Sequence, residues 1–595
     1  MYLLHTARSD SIAGGRSPFH SNTSIAISSV ALGLYALLLL STHSLVQGDT
    51  MLYAGNVVHD VRGVRDVLWE FGHPLWRPLA TAMMMLAQIV SPVTADVVLR
   101  RRAVAVLTCM AAAGGALAVL ACLSWFRKLG ISWLVSLATV LALVLTSAFL
   151  VFAQSGSAYI PALAFLLLGL REMAAEDSST SARAALLPAV AFAAAVLFWF
   201  PMVLAIPAAA LSVLLLGGDT QRRRRTAALV CTYAGAITIV SYLVVAYLAN
   251  VRTVPEMRAW IMSSGHGISG IGGAPRAVVG FARSLVETGR LGLVMKRHLL
   301  GDPYNSASLV QVLDAGLARL AVVYFGGAAL IYLLLRRAQG RRALIFLLVT
   351  AIPVVAFAYK WQGGDPERYL ALYPALFVAL AFMMTSLPRR VGALVAMLVI
   401  VALAACNLPA LSRTKAAAEC AVLASRLASI PHTPVHTAVV VTPHALDPIV
   451  EYRARCPDVA LDSSSQPPQV FGLVMPHTEG ADSWRASLAA RAGRAWAAGN
   501  RLWVSRRAFA ERPANSSDWT EGDDPAVRWR DFPAFFDQLD TGASVGGADG
   551  FVEIVPTSTN RRFMEQLVAA RASDSTRVST GEVISRPRMP VLPLR

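Results

Sequence analysis

The sequence predicts a polytopic α-helical membrane protein with a C-terminal α/β domain, and three observations carry this prediction. Of the 595 residues, 55% are hydrophobic and 15% are charged, whereas soluble domains average about 25% charged residues. The apolar residues up to position 408 fall into long blocks of membrane-spanning length. After residue 408 the chain becomes polar, and strand patterns alternate with helical ones.

Eleven apolar segments account for the predicted spans. Eight of them approach the roughly 20 apolar residues that cross a bilayer, and they are 25–46, 103–126, 131–151, 226–249, 317–335, 342–358, 369–386 and 390–408. Three are shorter: 157–171, 184–200 and 202–217. Pro201 separates the last two, as a turn between two helices or as a kink in one long helix.

Basic clusters orient these spans, because Lys and Arg accumulate in cytoplasmic connections. The clusters are the tail with Arg8 and Arg16, and residues 127–128, 222–225, 336–342 and 389–390. One arrangement places all of them in the cytoplasm. In it, 78–98 is a helix at the membrane interface, Arg100 to Arg102 are the single exception, and the C-terminus is outside.

This topology divides the chain into a cytoplasmic tail, a membrane domain and an outer domain. They are residues 1–24, 25–408 and 409–595, and the outer loops of the membrane domain are 47–99, 250–316 and 359–368. The net charge of +17 does not indicate nucleic acid binding, since the region from Ser412 onward carries 21 Lys+Arg and 20 Asp+Glu. The excess therefore lies among the spans. In the outer domain, Cys420 and Cys456 are candidates for a disulfide.

The C-terminal domain is predicted in detail from its patterns. A helix is expected over 415–430, buried strands over 436–443, 501–505 and 551–555, and a helix over 445–456. Residues 511–531 have the composition of a loop. The polar sequence from Ala572 is expected to form a flexible tail.

The first outer loop holds the candidate catalytic residues. Asp49 follows Gly48 about one turn beyond the first span, where partial burial would raise a carboxylate's pKa and suit it to act as a general base. It is otherwise a residue that ends the helix. Glu70 and His73 flank Gly72, and Trp76 is either a platform for a sugar ring or an interfacial aromatic. The spacing matches no standard metal-ligand pattern, so no metal or other cofactor is expected, although a divalent metal stays possible.

Two later outer loops offer groups for a phosphate. Residues 263–273, SSGHGISGIGG, contain His266 and precede Arg297, so backbone and cation could meet a phosphate, or the glycines could form a gating loop. Arg368 begins the tenth span beside Lys360 and Tyr369. A guanidinium there binds phosphate bidentately at headgroup depth, or it pairs with Asp365 or Glu367.

The order of these motifs resembles the GT-C membrane glycosyltransferases. Gly48-Asp49-Thr50 is similar to their first-loop aspartate, and His73-Pro-Leu-Trp-Arg-Pro78 resembles the continuation of that loop in bacterial relatives of the protein O-mannosyltransferases. Gln154 to Pro161, with Tyr159, resembles the entry to their fourth span, and Glu367 to Pro374 a late-loop pattern. The family's paired Asp-Glu is absent, since Thr50 follows Asp49. Asp60, Asp66 or Glu70 would have to supply the second acid.

The resemblance implies a bacterial inner-membrane enzyme that uses a polyprenyl-phosphate sugar donor. Asp49 would deprotonate a hydroxyl of a glycan, lipid or protein acceptor, and the sugar would transfer with inversion while Arg368 holds the leaving phosphate. Two alternatives stay open. A transporter or lipid-handling protein predicts charges deep within the spans. A non-catalytic scaffold with a GT-C-like fold predicts that the C-terminal domain does the binding.

Overall fold

The computed structural model describes most of the membrane domain and part of the C-terminal region. The described residues are 18–42, 50–63, 68–94, 96–174, 182–217, 221–263, 273–288, 294, 308–412, 439–442, 469–472, 483–509, 532–547 and 550–579. Several predictions fall outside these ranges: the placement of Asp49, Asp66, His266 and Arg297, the disulfide, the helices 415–430 and 445–456, and the loop 511–531.

Helices make up the membrane part. In chain order they are α1 Pro18–Ser41, α2 Thr50–Val61, α3 Trp76–Val90, α4 Asp96–Lys128, α5 Trp133–Val144, α6 Ser147–Gln154, α7 Tyr159–Met173, α8 Ala182–Phe198, α9 Ile206–Gly217, α10 Gln221–Leu248, α11 Val254–Ser263, α12 Ala274–Leu285, α13 Ala318–Leu335, α14 Ala338–Lys360, α15 Tyr373–Ser386 and α16 Arg389–Asn407. Two 3₁₀ helices, Phe200–Ala205 and Pro366–Leu372, precede α9 and α15.

The described helices make the chain a multi-pass membrane protein. Seven are long and apolar enough to cross a bilayer, and α5 with α6 would make an eighth. Two shorter apolar helices, 185–198 and 200–216, accompany them. Every predicted span overlaps one or two of these helices, whereas the total of eleven spans and their orientation stay predictions.

The predicted span 131–151 differs from the structure, because it is broken. Helices α5 and α6 meet at 67° across Leu145 and Thr146. Neither residue is Gly or Pro, so the break has another cause. Asn407 of α16 donates its side-chain amide to the Leu145 carbonyl at 2.7 Å and to the Leu285 carbonyl at 2.9 Å. These contacts satisfy carbonyls that a helix end leaves without partners.

Helix α3 explains Arg102, one of the three arginines at 100–102. It has 15 residues, too few to span, and is amphipathic, with its apolar outer face on Leu79, Met83, Leu86, Ile89 and Val90. At its C-terminus, Arg102 of α4 donates to the carbonyls of Ala87, at 3.3 Å, and Ser91. A cation at a helix C-terminus stabilises the exposed carbonyls. Arg102 therefore caps α3, which is a structural reason for an arginine outside the predicted cytoplasmic clusters.

The end of the first helix is joined to the chain that leaves the last one. Thr42 forms an antiparallel main-chain bridge with Ser412. Its hydroxyl donates to the Leu38 carbonyl at 2.6 Å and accepts from Gln154 Nε2 at 2.8 Å. Thr42 is buried, so this junction lies inside the packed structure.

The described C-terminal residues contain a mixed five-stranded sheet. Its strands are β1 Val439–Thr442, β2 Gln469–Gly472, β3 Leu502–Ser505, β4 Thr541–Val545 and β5 Phe551–Ile554, in the order β2-β1-β3-β5-β4. Strand β1 is parallel to β2 and β3, and β5 is antiparallel to β3 and β4. Helices α17 Ser483–Ala497 and α18 Ser558–Ser579 accompany the sheet. The predicted strands coincide with β1, β3 and β5, whereas α18 continues past Ala572, where a tail was expected.

Candidate active site

The starts of α2 and α3 are fixed to one glycine between α6 and α7. Gly156 donates its N–H to Thr50 Oγ1 at 3.0 Å, and its carbonyl accepts from Trp76 Nε1 at 3.0 Å. A Cβ on Gly156 would lie 2.7 Å from both Leu107 Cβ and Thr50 Cγ2, so a larger residue does not fit. The residue after Asp49 is therefore held tightly, although Asp49 itself lies outside the described residues.

Trp76 has a different environment from the one predicted. Its side chain is fully buried, and its ring packs edge-on against Phe198 at a centroid distance of 6.2 Å. Its N–H is donated to Gly156. The residue is thus neither an exposed platform for a sugar nor an interfacial aromatic, because its hydrogen bond and its packing both lie in the core.

A buried charged cluster lies between α2 and α3. Asp60 Oδ2 lies 3.7 Å from Arg77 Nη2, and the two side chains are 0% and 2% exposed. Thr81 donates its hydroxyl to the same carboxylate oxygen at 3.1 Å. Tyr53 precedes Asp60 by two helical turns, so both project from one face of α2. Asp60, one of the residues considered as the second acid beside Asp49, therefore forms an ion pair with Arg77.

Besides Asp60, the buried cluster contains another acidic residue, Glu70. Burial lowers the pKa of Arg77, while the charges of Asp60 and Glu70 and the nearby Tyr53 hydroxyl raise it. Glu70 is itself buried, so it contributes to a field in which one guanidinium faces two carboxylates. Such a cluster stabilises added positive charge or a shared proton better than a further anion.

The segment 68–75 is a strap bound to the end of α8. Leu75 N–H donates to the Leu197 carbonyl at 3.1 Å, and Phe200 N–H donates to the Gly72 carbonyl at 3.0 Å. Phe71 of the strap packs against the rings of Phe200, Tyr242 and Trp260. The contacting rings of this group have centroids 4.8 to 6.3 Å apart. Because backbone bonds hold it at two points, the strap is a rigid support for its side chains.

His73 is oriented by that strap. Its Nδ1 lies 2.8 Å from the Phe198 carbonyl oxygen. A carbonyl only accepts, so Nδ1 carries a proton and, in the neutral ring, Nε2 carries the lone pair. The ring lies 5.8 Å from the rings of both Tyr53 and Tyr159. His73 and Tyr159 are thus brought together with the buried cluster, as a site requires.

The predicted phosphate-binding residues form a second group. Arg368 Nη2 lies 3.8 Å from Asp365 Oδ2 and 3.7 Å from Glu367 Oε1, and it donates to Gln362. Arg368 therefore pairs with neighbouring acidic residues, as the alternative to phosphate binding predicted. Lys360 is exposed and lies 5.9 Å from the centroid of the Tyr359 ring.

Tyr369 has a structural environment. Its side chain is fully buried, and its hydroxyl is shared between the carbonyls of Ala277, at 2.7 Å, and Gly363, at 2.8 Å. The hydroxyl joins α12 to the turn that precedes Arg368, so its proton is committed to the backbone. Helix Pro366–Leu372, which carries Arg368, packs against α7 and the 3₁₀ helix Phe200–Ala205. The two groups therefore border the same helices.

Tyr53, Arg77 and Thr81 were not identified from the sequence as residues of the site. The seven-residue spacing of Tyr53 and Asp60 was nevertheless a signal that both lie on one helix face. Among the residues that the structure describes, no three His, Cys, Asp or Glu side chains are grouped so as to hold a metal ion. The expectation of no cofactor stays a prediction.

The chain has the GT-C membrane fold, as the comparison with solved structures shows. The apo structure of ArnT from Cupriavidus metallidurans matches with a TM-score of 0.51 and 14% identity, covering 91% of this chain and 99% of ArnT. ArnT bound to undecaprenyl phosphate matches with a TM-score of 0.50, at the same identity and coverage. At this identity the likeness shows the fold. No family model and no curated protein sequence matches the chain.

Proposed function

We propose that the chain is a membrane glycosyltransferase that moves a sugar from a polyprenyl-phosphate donor to an acceptor hydroxyl. The observation that carries this proposal is the shared fold over nearly the whole of both chains with ArnT, which was solved with undecaprenyl phosphate bound. The rigid strap and the buried cluster within the first outer loop support it, since they provide a fixed frame for acid–base groups. The reaction faces the outer side of a bacterial inner membrane, and the C-terminus lies on that side.

In the proposed reaction Asp49 accepts the proton of the acceptor hydroxyl. The oxygen then forms a bond to the anomeric carbon while the bond from that carbon to the phosphate oxygen breaks. The electron pair leaves with the polyprenyl phosphate, and the configuration inverts. A phosphate leaving group needs little protonation, so a base and a cation suffice.

Two other groups assist. His73 holds a proton on Nδ1 through the Phe198 carbonyl, which leaves Nε2 to exchange a proton with a hydroxyl or phosphate. Arg368 stabilises the departing phosphate, and its present partners Asp365 and Glu367 are displaced by the incoming anion. Lys360, His266 and Arg297 supply further contacts to the donor.

The test uses purified protein in detergent with a panel of undecaprenyl-phosphate-linked sugars and acceptors. Wild-type protein is expected to release undecaprenyl phosphate from one donor, with an inverted anomeric product by NMR. Asp49→Asn is expected to abolish release, whereas Asp537→Asn, at an exposed site in the C-terminal region, is expected to retain it. Equal activity of these two variants would remove the aspartate base, and no release by wild type would overturn the function.

The orientation has its own test. Alkaline phosphatase fused after Leu79 or Arg595 is expected to be active, because both positions lie outside the cytoplasm in the proposed topology. A fusion after Arg225 is expected to be inactive. An inactive Arg595 fusion would place the C-terminus inside and contradict the shared outer face.

A further inference from the structure

The stretch Gln154 to Gly156 contacts the chain on both sides of residues 43–49. Gln154, the last residue of α6, donates its side-chain amide to Thr42 Oγ1 at 2.8 Å and to the Leu150 carbonyl at 3.1 Å. The second bond keeps the amide in place on its own helix. Thr42 ends the first span, so Gln154 fixes the point where the chain enters the first loop.

Gly156 makes the corresponding contact at Thr50, just after residue 49. Its N–H donates to the hydroxyl of Thr50, which is the first residue of α2 and is fully buried. Its carbonyl is occupied by Trp76, so the glycine is held from the other side as well. Thr42 and Thr50 are therefore tied to residues only two positions apart, and their separation is set by one short segment.

We infer that Gln154 and Gly156 are positioning residues for the proposed base. Asp49 is joined to Thr50 by one peptide bond, and Thr50 is held by the Gly156–Thr50 hydrogen bond. This inference rests on the proposed function. It adds that the α6–α7 junction, which carries no acid or base at residues 154–158, governs the rate.

Chemistry and folding respond differently to the loss of such a bond. One hydrogen bond contributes little net free energy to folding, because water replaces it in the unfolded chain. A displacement of about 1 Å of a reacting group can lower a rate about 100-fold. Loss of the Thr50 hydroxyl should therefore lower kcat far more than it lowers stability.

The experiment compares two buried threonines. Thr50→Val removes the acceptor of Gly156, and Thr350→Val is the matched control, since Thr350 is buried and donates to the Phe346 carbonyl of its own helix, at 2.8 Å. We expect Thr50→Val to lower kcat about 10- to 100-fold at an unchanged donor KM. Thr50→Ser should restore kcat to within about threefold, and Gln154→Leu should have a smaller effect than Thr50→Val.

Equal kcat values for Thr50→Val and Thr350→Val in an active protein would overturn the inference, and a matching loss of thermal stability in Thr50→Val alone would do so too. A second measurement does not depend on transfer. In a cysteine-free background, spin labels on Asp49→Cys and Thr94→Cys report a distance distribution. Thr50→Val should broaden it and Thr350→Val should not. An unchanged width overturns the inference even where the protein transfers no sugar.

Discussion

Asp60 and Arg77 face each other across 3.7 Å inside the membrane domain, where neither side chain reaches the surface. One residue lies near the end of α2 and the other in the first turn of α3. Glu70 adds a second acid to the field of the same guanidinium. The pair thus joins the two helices that flank the strap.

Substitution of one member of this pair should destabilise the folded protein. Arg77→Met is expected to lower the free energy of unfolding by about 3–5 kcal/mol, because it leaves buried carboxylates without their cation. The double variant Asp60→Asn, Arg77→Met should recover part of the loss, since one uncompensated charge is gone. Unfolding in an SDS titration measures both. Strictly additive losses in this double-mutant cycle would contradict the interaction.

Substitutions can separate the two functions of the His73 ring, which are the contact of Nδ1 with Phe198 and the acid–base role of Nε2. His73→Asn keeps an N–H donor near the position of Nδ1 and loses Nε2, so it should fold like wild type. Its transfer rate should fall about 10²- to 10⁴-fold, the range for a general acid–base group. His73→Ala loses both and should also be less stable. Wild-type transfer by His73→Asn would show that only the contact with Phe198 matters.

Helix α12 packs by backbone contact against the turn before Arg368. A Cβ on Gly280 would overlap the carbonyl oxygen of Gly363, so Gly280→Ala should destabilise the protein by about 1–3 kcal/mol. Gly326→Ala in α13 is the control, because in the described part of the chain no atom beyond its neighbours and its own helix backbone lies within 4 Å of its Cβ position. It should be neutral or slightly stabilising. Equal unfolding midpoints for the two variants would contradict the close packing.

The start of α11 should depend on pH. Glu256 accepts hydrogen bonds from the backbone N–H groups of Arg252, at 2.7 Å, and Thr253, at 2.8 Å, which lower its pKa below the usual 4.5. A lowered carboxyl pKa means that this stabilisation is present above pH 4.5 and is lost as pH falls through the lowered value.

Hydrogen exchange measures this effect. After correction for intrinsic rates, the amides of Arg252 and Thr253 should lose protection in acid, and Glu256→Gln should show weak protection that is independent of pH. Protection that persists at pH 2 in wild-type protein would mean that the carboxylate does not hold the helix start.

Much of the fold follows from local patterns. The apolar segments coincide with helices because a backbone in lipid must bond within its own segment. Thr253-Val-Pro-Glu256 even contains a readable capping box, in which the Thr253 hydroxyl accepts from Glu256 N–H at 3.3 Å. The break between α5 and α6 was not predictable in this way, because its partner Asn407 is distant in sequence.

The residues of the site likewise could be interpreted from the sequence where the signal is local, and not where their partners are distant in the chain. His73 and Glu70 could be proposed from the sequence, because polar residues in a short stiff loop are conspicuous in an apolar chain. Trp76 was misinterpreted, since its partner Gly156 comes from another helix junction. The contribution of Gly156 could not be inferred, because a glycine beside two serines reads as an ordinary turn and its backbone carries the interaction.

The bridge between Thr42 and Ser412 has a consequence for assembly. Thr42 is synthesised with the first span, and Ser412 emerges only after the last membrane helix, so this seam closes at the end of insertion. Until then, the chain before the first loop lacks one of its main-chain partners. A nascent protein therefore gains this contact between the end of its first helix and the chain after its last membrane helix only when its membrane part is complete.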